Sequence, residues 1–388
     1  MVIEQTEYDY IIAGSGCAGL SLLYAILSDP QLQKKNILVL DKEKKVNNDR
    51  TWCFWENESG PFESIVYHHW EKLEFHAPQF SRQFDLHPYS YKMIRGLDFY
   101  EFVLSFARDF KNVEFRYEGI QKIYPLKDQA EVVTDSGRYK AEFVFNSTSL
   151  FFPEMDTDNS LLQHFTGWVI RTESPVFDPA VGTLMDFRLD QKHGATFMYV
   201  LPTSPNEALI EYTLFTEKIL EKEEYEAELK DYIRDYLKLA SFEVLHTEFG
   251  IIPMSLARFE RSSKKTKRIV NIGTAGGFTK ASSGYTFQFI QKNTASVIDV
   301  LKKNQVPSSV SSFRESVYQW YDRTLLDVLL TKKMQGRDVF AKIFRKRSPK
   351  SIMAFLGNES SLWEDLQIMS SLPILPFLTS GIKQLSKR

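Results

Sequence analysis

Cysteine is scarce in this 388-residue sequence, and so are clusters of residues that could bind a metal. Its two cysteines, Cys17 and Cys53, are too few for a disulfide framework or a thiolate zinc site, and they suit a reducing compartment. The seven histidines include the adjacent pair His68 and His69, whose side chains point apart on a strand. None of them has metal-ligand spacing, so we predict no metal site.

Net charge and long apolar runs are also lacking. The 48 Lys and Arg residues against 50 Asp and Glu give a formal charge of −2, whereas nucleic-acid-binding proteins carry a strong basic excess. We therefore expect no nucleic-acid partner. No apolar run approaches the ~18 residues of a membrane span, and Met1–Asp9 has neither the basic nor the apolar region of a secretory signal.

Aromatic residues, in contrast, are abundant: 30 Phe, 18 Tyr and 6 Trp make up 14% of the chain. Aromatic rings bury large areas, and Phe has no polar group to satisfy, so a phenylalanine-rich core is the first interpretation. A long apolar ligand tunnel or a membrane-contacting face is the second. Composition alone leaves both open.

The N-terminal residues have the layout of a dinucleotide-binding unit. Tyr8–Ala13 and Asn36–Asp41 read as buried strands, and Leu20–Ser28 reads as a helix between them. Together they form a βαβ unit with parallel strands. A Gly-x-Gly-x-x-Gly turn joins the first strand to the helix, and Asp41 lies 22 residues beyond its last glycine, close to the ~20 of the known fingerprint.

Each glycine of this turn has a physical role. Gly14 permits the tight turn, Gly16 lets a pyrophosphate approach the backbone, and Gly19 lets the helix pack on the strand. The helix N-terminus offers free N–H groups to the phosphates, and Asp41 is expected to accept hydrogen bonds from the ribose hydroxyls. The predicted site residues here are Gly14, Ser15, Gly16, Cys17, Ala18, Gly19, Asp41 and Lys42.

A second Gly-rich segment, Asn271–Gly277, follows a late strand over 268–273. This early-and-late layout resembles the FAD-binding aromatic hydroxylases and their relatives. In that family the late strand usually ends in Gly-Asp, whereas this chain has Gly273-Thr274. The resemblance implies FAD as the cofactor, with Gly273, Gly276 and Gly277 on the late side of the site.

This resemblance also implies a mixed α/β (α+β) fold, in which a Rossmann-like FAD-binding domain is interleaved with a β-rich substrate domain and followed by a helical C-terminal cap. We assign 1–72, 97–150 and 265–305 to the FAD domain, 73–96 and 151–264 to the substrate domain, and 306–388 to a membrane-contacting helical region. Three further helices are expected within the first two domains, one from Gly96 to about Phe110 with Asp98 as its N-cap, one over 218–239 and one over 284–303.

Further motifs occur along the chain. They are Asn48–Glu56, Phe197–Pro202, Ala208–Thr213, Gly250–Pro253 and Ser283–Tyr285. Together with the Gly-rich turn they resemble the lycopene cyclases of carotenoid-producing bacteria. The resemblance covers almost the whole chain, including Leu362-Trp363 and 366–378.

That resemblance implies an isomerase. Such enzymes protonate a terminal double bond of lycopene, let the carbocation close a six-membered ring, and remove a proton to leave a β-ionone end group. The FAD is required in its reduced form although no net electrons move, and NAD(P)H is the implied indirect reductant. A reduced flavin anion stabilises the developing cation electrostatically.

Glu211 is the predicted catalytic acid. The reaction needs a carboxyl in an apolar pocket, where desolvation raises its pKa. Glu211 is the single acid of Leu209–Thr213, and strand alternation places it on one defined face. The family usually has a second acid directly after this Glu, whereas here the residue is Tyr212. A solvent-facing strand position is the alternative for Glu211.

Two further sites are predicted to contact the flavin. Arg50, Thr51 and Trp52 are expected to cover it or to line the cavity, with a structural turn as the alternative. Arg95 is expected to reach a flavin phosphate, with an ordinary surface arginine as the alternative.

The C-terminal region is basic and amphipathic. Residues 332–350 carry eight Lys and Arg against one acid, with apolar residues interleaved. This pattern is typical of helices on an anionic membrane surface, although a soluble helix with a solvated basic face is the alternative. We expect a cytoplasmic protein peripherally associated with the inner membrane, with lycopene or a related carotenoid as its partner.

Two other functions stay open at this point. One is another FAD-dependent enzyme acting on apolar isoprenoids, such as a prenyl-chain reductase or a hydroxylase. The other is a non-catalytic carotenoid- or lipid-binding protein. The sequence also leaves open whether one or both substrate ends are cyclised, and whether β or ε rings form.

Overall fold

The computed structural model describes residues 6–155, 159–263, 266–307 and 312–386. The strands in these ranges are β1 Thr6–Ala13, β2 Ile37–Asp41, β3 Thr51–Glu56, β4 His68–Trp70, β5 Lys72–Ala77, β6 Phe80–Asp85, β7 Ser90–Arg95, β8 Val113–Tyr117, β9 Ile120–Pro125, β10 Ala130–Thr134, β11 Arg138–Asn146, β12 Ser160–Arg171, β13 Val181–Asp186, β14 Ala195–Pro202, β15 Glu207–Thr216, β16 Glu243–Ser255 and β17 Ile269–Asn271. The α-helices in the same ranges are α1 Cys17–Ser28, α2 Gly96–Ala107, α3 Lys222–Asp235, α4 Phe287–Lys302, α5 Phe313–Leu330, α6 Gly336–Lys346, α7 Pro349–Leu356, α8 Leu362–Met369 and α9 Ile374–Ser386.

The first sheet contains the predicted βαβ unit. Its strand order is β8-β2-β1-β11-β10-β9, and β17 pairs with β11. Strands β8, β2, β1, β11 and β17 are parallel, while β10 and β9 extend the sheet as an antiparallel meander. The carboxyl ends of β1, β11 and β17 therefore meet at one edge, the place where open parallel sheets bind ligands.

Both faces of this sheet are covered, which explains the continuous apolar runs of β1 and β2. Ile12 and Val39 pack against the helices α1, α2 and α4 on one face. Ile11 and Leu38 lie on the other face, in a separate cluster with side chains of β9, β10 and β11. Because successive side chains of each strand point to opposite faces, the sheet contributes to two hydrophobic cores and has no solvent-facing side at these strands.

The second sheet has the order β16-β12-β15-β14-β13-β5-β6, and the third has the order β3-β7-β4. All pairs of the second sheet are antiparallel except β13 with β5. Strands β5 and β6 thus join the strands of 151–264, whereas β7 pairs with β3 and β4. The mixed α/β architecture with a helical C-terminal region is as expected, and the domain boundaries stay a prediction.

Helix starts differ from the predicted ones for local reasons. The prediction of Asp98 as the N-cap of α2 was wrong, because β7 runs directly into the helix and Arg95 takes the cap position. Helix α3 begins at Lys222 rather than 218, since Glu221 and Glu224 form a capping box. Helix α4 begins at Phe287, after a turn in which Gly284 has a φ of +72°.

The basic helix α6 packs its apolar face inside the protein. The Phe344 ring stacks on Phe75 of β5 with centroids 4.3 Å apart, and Phe340 stacks on Phe187 at 5.7 Å. The expectation that these apolar side chains contact a membrane was therefore wrong. The basic side chains of Lys342, Arg345 and Lys346 stay exposed on the other side of the helix.

This packing predicts the cost of removing the Phe344 ring. The side chain is 2% exposed, so Phe344→Ala leaves a cavity between α6 and the second sheet and is expected to lower the free energy of unfolding by about 3 kcal/mol. Phe313→Ala is the matched control, because Phe313 is 76% exposed and its loss is expected to change little. Denaturant unfolding measures both, and equal effects of the two substitutions would contradict the packing described here.

Candidate active site

A cavity of about 420 Å³ lies where the carboxyl ends of the first sheet meet the second and third sheets. Its walls come from the start of α1, β3, β15, β16 and the late Gly-rich segment. The structure brings seven of the predicted site residues to this cavity. They are Gly16, Cys17, Ala18, Arg50, Thr51, Trp52 and Glu211.

The early and late Gly-rich segments touch each other. Gly273 has a φ of +60°, and a Cβ added to it would lie 2.6 Å from the Cβ of Ala18. Within the early turn, a Cβ on Gly19 would lie 1.9 Å from the carbonyl oxygen of Gly14, so helix α1 approaches the end of β1 only because residue 19 is glycine. Two segments about 250 residues apart in sequence thus form one end of the cavity.

Asp41 holds the early turn in place. Its Oδ2 accepts hydrogen bonds from the backbone N–H and the hydroxyl of Ser15, both at 2.7 Å, and the Lys45 Nζ lies 3.5 Å away. Burial acts to raise the pKa of Asp41, but these donors outweigh it and lower the pKa below its ordinary value. Neither Asp41 nor Ser15 lines the cavity, and the expected contact of Asp41 with a ribose stays a prediction.

Four other predicted residues lie away from the cavity wall. Lys42 is exposed and lies 3.6 Å from Glu43. Arg95 donates to both carboxylate oxygens of Asp98, at 2.6 and 2.9 Å, and covers the ring of Tyr67. These contacts are compatible with the alternative of an ordinary surface arginine, and the expected contact of Arg95 with a flavin phosphate stays a prediction. Gly276 and Gly277 line a smaller adjoining cavity beside Thr274.

Glu211 faces the cavity from the middle of β15. The Thr213 hydroxyl donates to its Oε1 at 2.7 Å. Burial raises the pKa of Glu211, and the nearby Glu248 raises it further, to about 8. Glu211 is therefore a neutral carboxylic acid at pH 7. Tyr212 points to the opposite face of the sheet, where it packs among residues of α3.

Glu248 is the main site residue that the sequence analysis missed. It lies on β16, is 5% exposed, and accepts a 2.8 Å hydrogen bond at Oε2 from the Thr51 hydroxyl. Burial raises the pKa of this carboxyl as well. The one available signal in the sequence was its position two residues before the Gly250–Pro253 motif. Thr51 therefore contacts the second carboxyl as well as lining the cavity.

The remaining wall is aromatic and largely uncharged. Tyr91, Tyr199 and Tyr285 are buried there, and the hydroxyls of Tyr91 and Tyr285 are 3.4 Å apart. Burial raises the pKa of all three phenols, so they stay neutral. Burial likewise raises the pKa of Cys17 and Cys53, which line the same cavity as neutral thiols.

Two buried polar atoms on the cavity wall have no hydrogen-bond partner within the described part of the chain. They are Oε1 of Gln163 and Oγ of Ser283. Buried polar atoms normally find a partner, so a polar ligand would satisfy both. Among the described residues, no three His, Cys, Asp or Glu side chains are grouped so as to hold a metal ion.

Comparison with known protein families shows to which family this chain belongs. The model described as "Lycopene cyclase protein" matches residues 9–381. The chain belongs to the lycopene cyclase family. This confirms the resemblance found in the motifs, and the chain is accordingly an enzyme of the isomerase class.

Two relatives of this lycopene cyclase family member have nearly its full length. The lycopene beta-cyclase of Pantoea ananas is 24% identical over 395 residues, covering 97% of each chain. The lycopene beta-cyclase of Paracoccus sp. (strain N81106 / MBIC 01143) is 24% identical over 400 residues, covering 98% of each chain.

Solved structures show the same fold at low sequence identity. A flavoprotein/dehydrogenase from Cytophaga hutchinsonii has a TM-score of 0.62 at 13% identity, covering 99% of this chain and 100% of its own. A geranylgeranyl bacteriochlorophyll reductase-like protein from Thermoplasma acidophilum has a TM-score of 0.60 at 12% identity and covers 99% of both chains. A probable FAD-dependent monooxygenase from Pseudomonas aeruginosa has a TM-score of 0.59 at 13% identity, covering 88% and 100%. The predicted fold class is confirmed.

Proposed function

We propose that this enzyme converts the linear ends of lycopene into β-ionone rings, and so forms β-carotene, by an acid-catalysed cyclisation without net electron transfer. The full-length relatives named lycopene beta-cyclases support the substrate. The observation that carries the proposal is the Glu211 carboxyl, a neutral acid at pH 7 that faces a cavity walled by aromatic rings. Such a group can protonate a carbon–carbon double bond where water is excluded.

We also propose FAD as the cofactor. The residues around the cavity fit such a group, because the wall beside Gly16 is open and Gln163 and Ser283 each present an unpartnered polar atom. The Gly14–Gly19 turn, Arg50–Trp52 and the late Gly-rich segment would hold it. When bound in its reduced form, FAD supplies negative charge beside a cationic reaction centre. NAD(P)H is the proposed indirect source of the electrons.

The chain's own residues would perform the acid step as follows. Glu211 donates its proton to a terminal double bond, and Thr213 holds the carboxyl in position. The faces of aromatic residues such as Trp52 and Phe287 stabilise the resulting carbocation, because the ring quadrupole attracts positive charge. Apolar side chains such as Leu209 and Ile252 keep water from capturing the cation before the ring closes.

Glu211→Gln tests the acid step. This change preserves the shape of the side chain but removes its proton, so cyclisation is expected to fall by at least ~100-fold. The wild-type rate is expected to fall as the pH rises through about 8, where Glu211 loses its proton. Expression in a lycopene-accumulating bacterium, with chromatography of the pigments, measures the first effect, and the purified flavin-loaded enzyme measures the second.

The matched control for this experiment is Glu207→Gln. Glu207 begins the same strand but pairs with Arg171 at 2.7 Å, away from the cavity wall. Its substitution is expected to leave cyclisation unchanged. Full activity of Glu211→Gln would reject the role of Glu211. A product that differs in mass from lycopene would instead indicate a reductase or a hydroxylase.

Gly16→Ala tests the cofactor site. A Cβ on Gly16 would meet no atom within 4 Å, so the protein itself tolerates the change. The added methyl group is expected to block the approach of a pyrophosphate and to weaken FAD binding at least ~10-fold. Flavin fluorescence titration measures the affinity, and Gly119→Ala in the β8–β9 turn is the control. Equal affinity of Gly16→Ala and wild type would place the diphosphate elsewhere.

We further propose that the enzyme contacts the membrane through α8 and α9. Helix α9 buries polar side chains and exposes apolar ones. Ser380 and Gln384 face inward, whereas Ile374 and Leu375 are 78% and 72% exposed. Leu378, Ile382 and Leu385 continue this outward apolar stripe, and Leu362, Trp363 and Leu366 of α8 add to the exposed apolar surface. No described helix is both long and apolar enough to cross a membrane. Peripheral binding at the cytoplasmic face of the inner membrane would give access to an apolar polyene.

Vesicle binding tests this surface. The double substitution Ile374→Glu and Leu378→Glu removes two side chains from the apolar stripe and is expected to weaken binding to phosphatidylglycerol-containing vesicles by roughly 100-fold. Val176→Glu with Ile219→Glu is the control, since both residues are exposed and lie on other elements. High salt is expected to weaken binding in part, because α6 carries exposed basic side chains. Equal binding by the two double variants would reject the surface.

A further inference from the structure

The register of the second sheet places two carboxyl groups on either side of a glycine. Glu211 on β15 lies opposite Gly167 on β12, and Gly167 lies opposite Glu248 on β16. Directly opposed residues of neighbouring strands present their side chains on the same face of a sheet. The two carboxyl side chains therefore rise from one face, with no side chain on the strand between them.

Gly167 provides the space for this arrangement. A Cβ at position 167 would lie 3.0 Å from Cγ and 3.2 Å from Oε1 of Glu248, so the Glu248 side chain occupies the space over the middle strand. Glu211 and Glu248 both line the cavity. Each accepts one hydroxyl hydrogen bond, from Thr213 at 2.7 Å and from Thr51 at 2.8 Å.

The side chains around Glu211 and Glu248 determine how far these two carboxyls ionise. The cavity-lining titratable side chains near the pair on β3, β7, β14 and the turn before α4 are the neutral Cys53, Tyr91, Tyr199 and Tyr285. On β16 itself, His246 lies two residues before Glu248 and on the same face of the strand. The cavity-lining cations within the described ranges are Lys45 and Arg50, which lie 3.5 Å from Asp41 and 3.3 Å from Asp49. Two buried carboxyls without a close cation do not both ionise, so the pair keeps at least one proton.

We propose that Glu248 is a second catalytic carboxyl of this cavity: Glu211 gives the pair's single proton to the substrate, and the Glu248 carboxylate accepts the proton that leaves the ring. This inference rests on the proposed cyclisation. It also explains why the chain functions with Tyr212 in place of a second acid, because position 212 faces α3 while β16 supplies a carboxyl to the cavity.

Over one catalytic cycle, the proton that Glu211 gives up equals the proton that the pair takes back. The O–H bond of Glu211 breaks as a C–H bond forms at the terminal double bond, and the electrons of the next double bond close the ring. A C–H bond beside the new cation then breaks, its electrons form the ring double bond, and its proton passes to Glu248. Transfer of that proton from Glu248 to Glu211 restores the pair, so neither protons nor electrons are consumed.

Infrared titration of the flavin-loaded enzyme tests the shared proton without using activity. The C=O band of the protonated Glu211 carboxyl is identified by its loss in Glu211→Gln. In Glu248→Gln this band is expected to titrate at least about one pH unit lower than in wild type, because the repelling charge is gone. Glu207→Gln is the control and is expected to titrate as wild type. An unchanged titration in Glu248→Gln overturns the pair.

Product analysis tests the role of Glu248 as the base. Glu248→Gln is expected to slow β-ring formation at least ~100-fold and to yield rings that have captured water or carry a displaced double bond, whereas Glu211→Gln leaves lycopene unreacted. Glu248→Asp keeps the charge, so its infrared titration is expected to resemble wild type and part of the β-ring formation is expected to return.

The two proposals fail in different ways. Wild-type β-ring formation by Glu248→Gln overturns the role of Glu248 and leaves the cyclase function intact. A wild-type enzyme that leaves lycopene unchanged overturns the proposed function, and with it the role of Glu248 as a base, while a shifted infrared titration still supports the shared proton.

Discussion

The contact between Ala18 and Gly273 sets the position of everything else in the cavity. A side chain at residue 273 would meet Ala18 at 2.6 Å and push the late segment away from helix α1. The Asn146 side chain reinforces this junction by donating to Oδ1 of Asn271 at 2.9 Å, which ties β11 to the short strand β17. Because α4 follows this segment and packs against α1, displacement at Gly273 would also move the aromatic wall that Phe287 begins.

The electrostatics of the cavity follow from what surrounds it. Neutral phenols, thiols and apolar side chains form most of its wall, so a charge there is poorly solvated. One proton on two carboxyls leaves a single negative charge, which suits a cavity that must accommodate a carbocation. A fully protonated pair would lack this attraction, and a fully ionised pair would lack the acid. The proposed chemistry therefore depends on the spacing that Gly167 allows between β15 and β16.

Local sequence patterns predicted the elements that local forces determine. The apolar runs of β1 and β2 and the Gly-x-Gly-x-x-Gly turn follow from periodicity and turn chemistry within a few residues. Strand alternation likewise placed Glu211 on one face of β15, although it did not decide whether that face meets the cavity or the solvent. Glu248 escaped prediction because its place beside Glu211 depends on the register of three strands, and Gly167 on the middle strand is distant in sequence from both. The pairing of Arg95 with Asp98 and its position over Tyr67 likewise depend on how β7 enters α2, and its contact with a flavin phosphate stays a prediction.

The C-terminal helices show where amphipathicity alone fails. A basic amphipathic sequence pattern does not distinguish a helix that contacts lipid from one that packs on a β-sheet. In α6 the apolar face packs on β5 and β14. Helix α9 has the opposite arrangement, with its polar face turned inward. There Oδ1 of Asp327 accepts hydrogen bonds from Lys383 at 2.7 Å and from Gln384 at 3.1 Å. A contiguous outward apolar stripe on such a helix is typical of a surface that binds a membrane or another protein.

The same helical region also contacts the cavity wall. The Trp55 indole donates to the carbonyl oxygen of Met353 in α7 at 3.1 Å, and its ring lies 4.6 Å from that of Tyr285. Tyr285 lines the cavity opposite the carboxyl-bearing strands. The C-terminal helices therefore connect the exposed apolar surface of α8 and α9 to the aromatic wall of the cavity. Aromatic and aliphatic side chains therefore lie both on the exposed surface of α8 and α9 and on the cavity wall that includes Tyr285.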